Sequence, residues 1–332
     1  MAKCIPGSEY TQRGNGFILA AMSERALTIP NTSSLPISIP CRDGVILGGH
    51  IWTAETAKPH GSVIVNPATG VLARYYHRYA QFLVRHGFDV LTFDYRGIGQ
   101  SRPVKLRGAG YRWRDWGERD FDAALQWLIS HRRSDPLMVV GHSVGGFLPG
   151  LAEHAPMIDR MLTVGAQYAW WGDYMPSRRA TLFLKWHVAM PALTAFCGYF
   201  PGRRLGWLED LPKGVANEWS FRGPRFERSH PKSERAEALR RMAAVKATIL
   251  AVAVSDDELG TVPAIRRTLG YYTGAQRQSV LLHPADFGRD AIGHFGLFHD
   301  SFKSSFWTDT LSWLREGLNP WSSAKIMETQ IE

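Results

Sequence analysis

The stretch Gly141-His142-Ser143-Val144-Gly145-Gly146 constrains the fold of this chain more than any other. It follows an apolar run, Leu137-Met138-Val139-Val140, and precedes a segment that reads as a helix. A serine among small residues at a strand-to-helix junction is the pattern of a nucleophile elbow, which holds the hydroxyl clear of the sheet edge. Small neighbours let the backbone take a strained turn without a Cβ clash. A helix leaving that turn directs free N–H groups toward charge that develops during attack.

Around this turn, strands and helices alternate. Leu35–Pro40 and Val45–Thr53 read as strands joined at Arg42-Asp43-Gly44. Ser62–Asn66 reads as a short buried strand, Tyr75–His86 as a helix stopped by Gly87, and Asp89–Phe93 as a strand. Asp115–His131 carries Phe121, Ala124, Leu125 and Leu128 on one helical face, and a strand follows the elbow near Met161–Gly165. The alternation resumes with a strand at Thr248–Val254, a helix at Val262–Gly270, a strand at Ser279–Leu282 and an amphipathic helix at Ser305–Leu318. Such alternation predicts an α/β fold, a mainly parallel sheet flanked by helices on both faces.

Between Ala166 and Met242 the alternation stops. This segment holds five of the twelve Trp and carries 13 Lys/Arg against 7 Asp/Glu, so most of the chain's formal charge of +9 lies there. Its position after the strand that follows the elbow predicts a helical cap over the site. Ala180–Phe200 is almost wholly apolar, but Lys185 and His187 fall inside it and Pro191 divides it. Two short helices lining an apolar pocket are expected rather than a membrane span. The expected organisation is a poorly structured 1–34, a core over 35–165, the cap over 166–242, the rest of the core over 243–318 and a tail over 319–332. Patterned sequence starts only near Leu35, which makes Met22 a second candidate start. No signal-peptide pattern precedes it, and three widely spaced Cys suggest neither disulfides nor a zinc site. A cytoplasmic location is expected. The basic residues form no dense block or nucleic-acid motif, which argues against nucleic-acid binding; peripheral membrane contact is a lesser alternative and the oligomeric state is not legible.

A serine hydroxyl needs a base, usually a His oriented by a carboxylate, and behind an elbow these follow in the order Ser, Asp or Glu, His. Asp256-Asp257 sits where the strand Thr248–Val254 ends. His294 lies in the Gly-bracketed loop Ala291-Ile292-Gly293-His294-Phe295-Gly296. The candidate set is therefore Ser143, Asp257 and His294, with Asp256 as the alternative acid and His283 and His299 as less favoured bases. His142 reads as packing beneath the elbow. Two backbone N–H groups are needed for an oxyanion hole: Val144 offers one, and the Asn66–Gly70 loop the other, through Ala68 or, second, Thr69. This chemistry needs no metal or organic cofactor.

These residues resemble the α/β-hydrolase fold, closest to its serine aminopeptidase/monoacylglycerol-lipase-like branch. The resemblance rests on the Ser143 elbow, Asp257, His294, Asp94-Tyr95-Arg96-Gly97-Ile98-Gly99-Gln100-Ser101, and Asn66-Pro67-Ala68 where that branch usually has His-Gly-x. It spans about residues 35–318 and is weakest in the cap. The cap phrases Phe200-Pro201-Gly202-Arg203-Arg204-Leu205-Gly206 and Glu209-Asp210-Leu211-Pro212 are similar to a bacterial group within the fold. The resemblance implies a serine hydrolase, of the carboxylesterase or lipase kind, acting on an ester-like bond of a small hydrophobic molecule. The alternatives are an acyltransferase with the same triad and a non-catalytic ligand-binding member of the fold.

Overall fold

Short buried apolar runs that cannot be solvated pair with one another, and here they form one eight-stranded sheet. The computed structural model describes residues 34–131, 136–324 and 326. The sheet contains β1 (Ser34–Pro40), β2 (Ile46–Trp52), β3 (Ser62–Asn66), β4 (Asp89–Phe93), β5 (Leu137–His142) and β6 (Arg160–Val164). A separate two-stranded ribbon pairs β7 (Tyr199–Phe200) with β8 (Leu211–Pro212), and the main sheet ends with β9 (Thr248–Val254) and β10 (Gln276–Leu282). The strand order is β1-β2-β4-β3-β5-β6-β9-β10. β1 and β2 pair antiparallel, as do β2 and β4, and every pairing from β4 to β10 is parallel. The expected α/β architecture is the observed one.

β3, β4 and β5 are buried along their whole length, which explains why they read as continuous apolar runs rather than alternating ones. Their side chains still alternate between two cores. Ile64, Leu91, Val139 and Ile249 face a layer with Phe121, Leu125 and Phe147, while Val63, Val90, Val140 and Leu250 face one with Tyr79, Leu83, Trp307 and Trp313. The helices His77–Arg85 and Asp122–His131 lie in the crossovers from β3 to β4 and from β4 to β5.

Two local expectations are corrected. The elbow does not lead into a regular helix. Short 3₁₀ turns at Ser143–Gly146 and Leu148–Leu151 follow it instead. Pro149 lacks the N–H that an α-helix would use there, and Gly145, Gly146 and Gly150 are poor helix formers. The alignment of N–H groups at the elbow is thus local, without a long helix dipole behind it. Nor does Pro191 split the apolar run into two helices. Arg179–Cys197 is one helical segment of 19 residues, with mean hydropathy 1.2. A π-helical stretch over Leu184–Ala189 lies immediately before the α-helical Met190–Cys197, which contains Pro191, so the ladder loosens where the proline ring and missing donor demand it. By length and composition this helix could cross a bilayer. Its polar groups have partners within the fold: Lys185 Nζ lies 4.5 Å and 4.6 Å from the ring centroids of Trp186 and Trp207, and His187 Nδ1 bonds the Ser220 carbonyl at 2.7 Å.

The rest of the inserted segment is mostly helical. Lys213–Ser220 and Arg235–Ala244 are its longer remaining helices. It meets the loops at the carboxyl ends of the strands: Glu209 N–H donates to the Gly70 carbonyl after β3 at 2.9 Å, and Met175 N–H to the Glu258 carbonyl after β9 at 3.0 Å. Phe226 packs on Phe147 after β5, with ring centroids 5.0 Å apart. Most of the expected N-terminal segment, with Met22, lies outside the described residues. In the tail, Trp321 stacks on Phe306 and Ile326 N–H donates to the Ser279 carbonyl of β10.

The elbow glycines are required by packing. A Cβ on Gly145 would overlap the Asn66 carbonyl and lie 2.7 Å from the Pro67 carbonyl oxygen, both backbone atoms that cannot swing aside. Gly145→Ala should therefore lower unfolding free energy by ~3 kcal/mol, read as a drop in the urea midpoint. An unchanged midpoint would show that β3 and the elbow can separate freely.

Candidate active site

The parallel strands deliver their carboxyl ends to one edge, and the candidate residues collect there. Ser143 follows β5 with φ +55°, one of two non-glycine residues in left-handed backbone among the described residues. A non-glycine residue is held there only when its surroundings over-determine it. Asn66 Nδ2 donates to the Gly145 carbonyl at 2.8 Å, and Tyr95 OH donates to Asn66 Oδ1 at 2.7 Å and to the Pro67 carbonyl at 3.1 Å. The Asn-Pro departure from His-Gly thus has a visible role: the carboxamide ties the loop after β3 to the elbow.

The Asp94–Ser101 motif holds loops rather than contributing a reacting group. Asp94 accepts from the N–H groups of Ala73 at 2.7 Å and Gln100 at 2.9 Å. Arg96 pairs with Asp120 and Asp43 at 2.6 Å and 2.7 Å.

His294 and Asp257 meet as the sequence predicts. His294 Nδ1 and Asp257 Oδ2 are 2.7 Å apart, with both side chains buried. The other carboxylate oxygen of Asp257 accepts the N–H groups of Leu259 at 2.8 Å and Gly260 at 2.7 Å. Burial alone would raise this carboxyl, but the charge and hydrogen bond of His294, with those two N–H donors, outweigh it and hold its pKa below the ordinary value. Asp256 turns the other way. Its carboxylate accepts Ile292 N–H at 2.8 Å and Gly293 N–H at 3.1 Å, so it clasps the loop that carries His294. The adjacent acids divide the work, one on the ring and one on the loop. His283 and His299 are exposed and cap short turns away from this cluster.

Ser143 is 4% exposed and its hydroxyl accepts Gln167 Nε2–H at 3.3 Å. It makes no direct hydrogen bond to His294. Gly165, φ +58°, runs beneath the pair: a Cβ there would lie 2.8 Å from Asp257 Oδ2 and 3.2 Å from the His294 ring. Val144 lies in the first turn after the serine, where N–H groups lack helical partners. Ala68 N–H points at the Tyr76 hydroxyl, 3.1 Å away, so this donor is already engaged.

That contact begins a chain which the sequence does not reveal. Tyr76 OH lies 2.7 Å from His142 Nδ1, and His142 Nε2 lies 2.8 Å from the His294 carbonyl. With Ala68 donating to Tyr76, the phenol donates to Nδ1 and Nε2–H donates to the carbonyl, so each group is used once. His142 is therefore more than packing. It links the loop after β3 to the backbone of His294. Tyr76 reads as an ordinary core aromatic in a helical pattern, and nothing in its spacing signals a hydroxyl with two partners. Gln167 is a fainter omission. A long polar side chain directly after the apolar strand β6 and Gly165-Ala166 is the available signal.

An aromatic cluster extends from the elbow into the inserted segment. Phe147 packs on Trp113, Tyr168 and Phe226 with centroids 5.5 Å, 5.4 Å and 5.0 Å apart. A cavity lined by His50, Arg74, His77 and Asp94 includes none of the elbow residues, Asp257 or His294. Among the described residues no cluster of His, Cys, Asp and Glu is arranged to hold a metal ion.

Burial, followed by repulsion from His294, lowers the His142 pKa from 6.5 to about 3. Between those values the unfolded chain binds a proton that the native state refuses, so stability falls as pH drops below 6.5. His142 should contribute ~1.4 kcal/mol per pH unit to this slope. Asp257, lowered in the fold, loses its contribution as pH falls through its folded pKa and adds destabilisation only at lower pH. Urea unfolding between pH 7 and 5 measures the slope, and His142→Asn should reduce it by that share, leaving the part due to His77, whose pKa burial also lowers to about 3. An identical slope in the variant would mean that His142 is charged in the fold or is not buried.

The serine aminopeptidase S33 family model matches residues 57–253, more than half of the chain. No curated protein is significantly similar in sequence. Among solved structures, an esterase of Pyrococcus furiosus is 17% identical with a TM-score of 0.53, over 91% of this chain and 95% of that one. A hypothetical protein from Pseudomonas aeruginosa is 12% identical with a TM-score of 0.57, over 94% and 100%. The esterase domain of a Rhodothermus marinus protein is 16% identical with a TM-score of 0.51, over 85% and 98%. At these identities the structures speak for the fold, and the family match carries the assignment. With its sheet order, its elbow and that match taken together, the chain belongs to the serine aminopeptidase S33 family of α/β-hydrolases.

Proposed function

We propose that this protein is a serine hydrolase that cleaves an ester-like bond of a small hydrophobic substrate through an acyl-enzyme. The observation that carries the reading is the juxtaposition, at one sheet edge, of a serine in left-handed backbone with a buried His294–Asp257 pair. His294 Nε2 takes the proton from Ser143 Oγ as that oxygen bonds to the substrate carbonyl carbon. Asp257, ionised and held by two backbone donors, keeps Nδ1 protonated and steadies the imidazolium. The oxyanion is met by Val144 N–H and by the loop after β3. There it displaces the Tyr76 hydroxyl from Ala68 N–H or uses Thr69 N–H. The imidazolium then passes its proton to the leaving group. Water, deprotonated by His294, attacks the acyl-enzyme, and the acid departs as Ser143 regains its proton. The missing Ser143–His294 bond is compatible with this sequence, since such bonds are often long before substrate arrives.

The inserted segment, read as a cap, supports the choice of substrate. Tyr168 and Phe226 from it pack with Phe147 and Trp113 beside the elbow. Such a wall rewards apolar contact area, at ~0.8 kcal/mol per buried methylene.

Ser143→Ala and His294→Ala should each lower turnover of a p-nitrophenyl ester by ~10³-fold or more, because nucleophile and base act as a unit. A fluorophosphonate should label the wild type and spare Ser143→Ala. Asp257→Asn should be nearly as damaging, whereas Asp256→Asn should act chiefly on the order of the 291–296 loop and cost less. Near-wild-type turnover in Ser143→Ala would sink the reading, and the opposite ranking of the two Asp variants would reassign the acid.

On substrates, kcat/KM should rise at least about tenfold from acetyl to hexanoyl esters. A rate indifferent to acyl length would remove the aromatic wall as the selectivity element and leave the triad assignment intact.

A further inference from the structure

We infer that Gln167 is a substrate-reading residue of this site, and that the substrate carries an N–H or O–H group close to its scissile carbonyl, on the leaving group or the acyl chain. The inference rests on the hydrolase reading of Ser143 and narrows its substrate class. It starts from one side chain with two ends in different states. Gln167 is 4% exposed, and its Nε2–H donates to Ser143 Oγ at 3.3 Å. Its other end, Oε1, is buried and has no partner among the described residues. A carboxamide oxygen removed from water without a donor is unfavourable, and buried polar groups are nearly always paired. This acceptor sits on the same amide that donates to Ser143 Oγ, the oxygen that the proposed reaction uses.

The backbone holds Gln167 in this pose by unusual means. Gly165 and Ala169, two residues to either side, both have left-handed backbone, at φ +58° and +64°. The intervening turn directs the side chain back onto the elbow. Tyr168, between them, is fixed by Arg222, whose Nη1 donates to the Tyr168 carbonyl while its guanidinium lies 3.5 Å over the Trp113 ring. A non-glycine residue in that region persists where the surroundings enforce it, and such positions cluster at functional sites. Seven other buried side-chain polar atoms also lack a partner among the described residues, but none of them belongs to a side chain that bonds Ser143. Gln167 has its donor committed to the nucleophile and its acceptor open.

The chemistry follows from the open atom. Oε1 accepts and cannot donate, so it selects a substrate N–H or O–H. Simple alkyl esters offer neither. Secondary amides offer an N–H on the leaving side, and hydroxyacyl esters offer an O–H on the acyl side. A site built to bond such a group discriminates against analogues that lack it, because the buried acceptor is then left unpaired.

The test uses the full chain with three probes: p-nitrophenyl butyrate, its 3-hydroxybutyrate counterpart and butyryl p-nitroanilide. Each kcat/KM is normalised to the probe's alkaline hydrolysis rate. Gln167→Met keeps the length and removes both the donor and the acceptor of the carboxamide; Gln167→Glu keeps an acceptor and removes the donor to Ser143. Wild type should favour at least one donor-bearing probe over the butyrate, and Gln167→Met should reduce that ratio about tenfold. Gln167→Glu should retain the ratio while shifting the pH profile, as a carboxylate now lies beside the nucleophile. Equal ratios in wild type and Gln167→Met overturn the inference, as does an equal loss on all three probes. Should Gln167→Met fail to fold, the wild-type ratios and Gln167→Glu decide it: no donor preference in the wild type overturns it. Fluorophosphonate labelling of wild-type Ser143 separates the two levels. Labelling without a Gln167-dependent ratio defeats only this inference, whereas no labelling and no turnover defeats the hydrolase reading beneath it.

Discussion

The close approach of two backbones, Asn66-Pro67 after β3 and Gly145 after β5, is the constraint on which the site depends. Parallel pairing of β3 with β5 places these loops side by side, and no side chain fits between them. The Asn66 carboxamide then closes the gap with a bond to the Gly145 carbonyl. With the turn pinned on that side, Ser143 cannot relax from its left-handed backbone, and its hydroxyl is presented at the strand ends. Tyr95 supports Asn66 from below, and Asp94 ties its own loop to Ala73 and Gln100. What reads as a long motif around Asp94 is thus scaffolding for a turn nearly fifty residues further on.

Much of this was legible in the residues. The strands β3, β4 and β9 are read to the residue, because a short apolar run bounded by turn formers has few other fates. The partners of His294 are legible too, since a carboxylate at the end of one strand and a Gly-bracketed histidine after the next must meet if the strands are adjacent and parallel. Other features were not. Which of two neighbouring aspartates faces the ring depends on the twist of one turn, which spacing does not encode. The Tyr76–His142–His294 chain joins residues far apart in sequence through atoms that any core aromatic or buried histidine also possesses. The helix through Pro191 departs from the expected break because a preceding π-helical stretch absorbs the proline.

Charge in the site is arranged by opposition. Asp257 is kept ionised in a buried place by His294 and two N–H groups, while His142, one shell beneath, is kept neutral by burial and by the same His294. Two histidines with rings 4.9 Å apart thereby receive different tasks. A neutral His142 can bond the His294 carbonyl through Nε2–H while accepting from Tyr76, a pattern that a doubly protonated ring could not adopt.

The chain Ala68–Tyr76–His142–His294 also bears on the order in which the protein becomes competent. Its first three members lie within residues 68–142, whereas the fourth follows His142 by 152 residues in the direction of synthesis. Until His294 has been made, the Nε2 proton of His142 lacks its acceptor. The elbow is therefore complete in sequence long before β10 and the loop after it supply the last member of this chain.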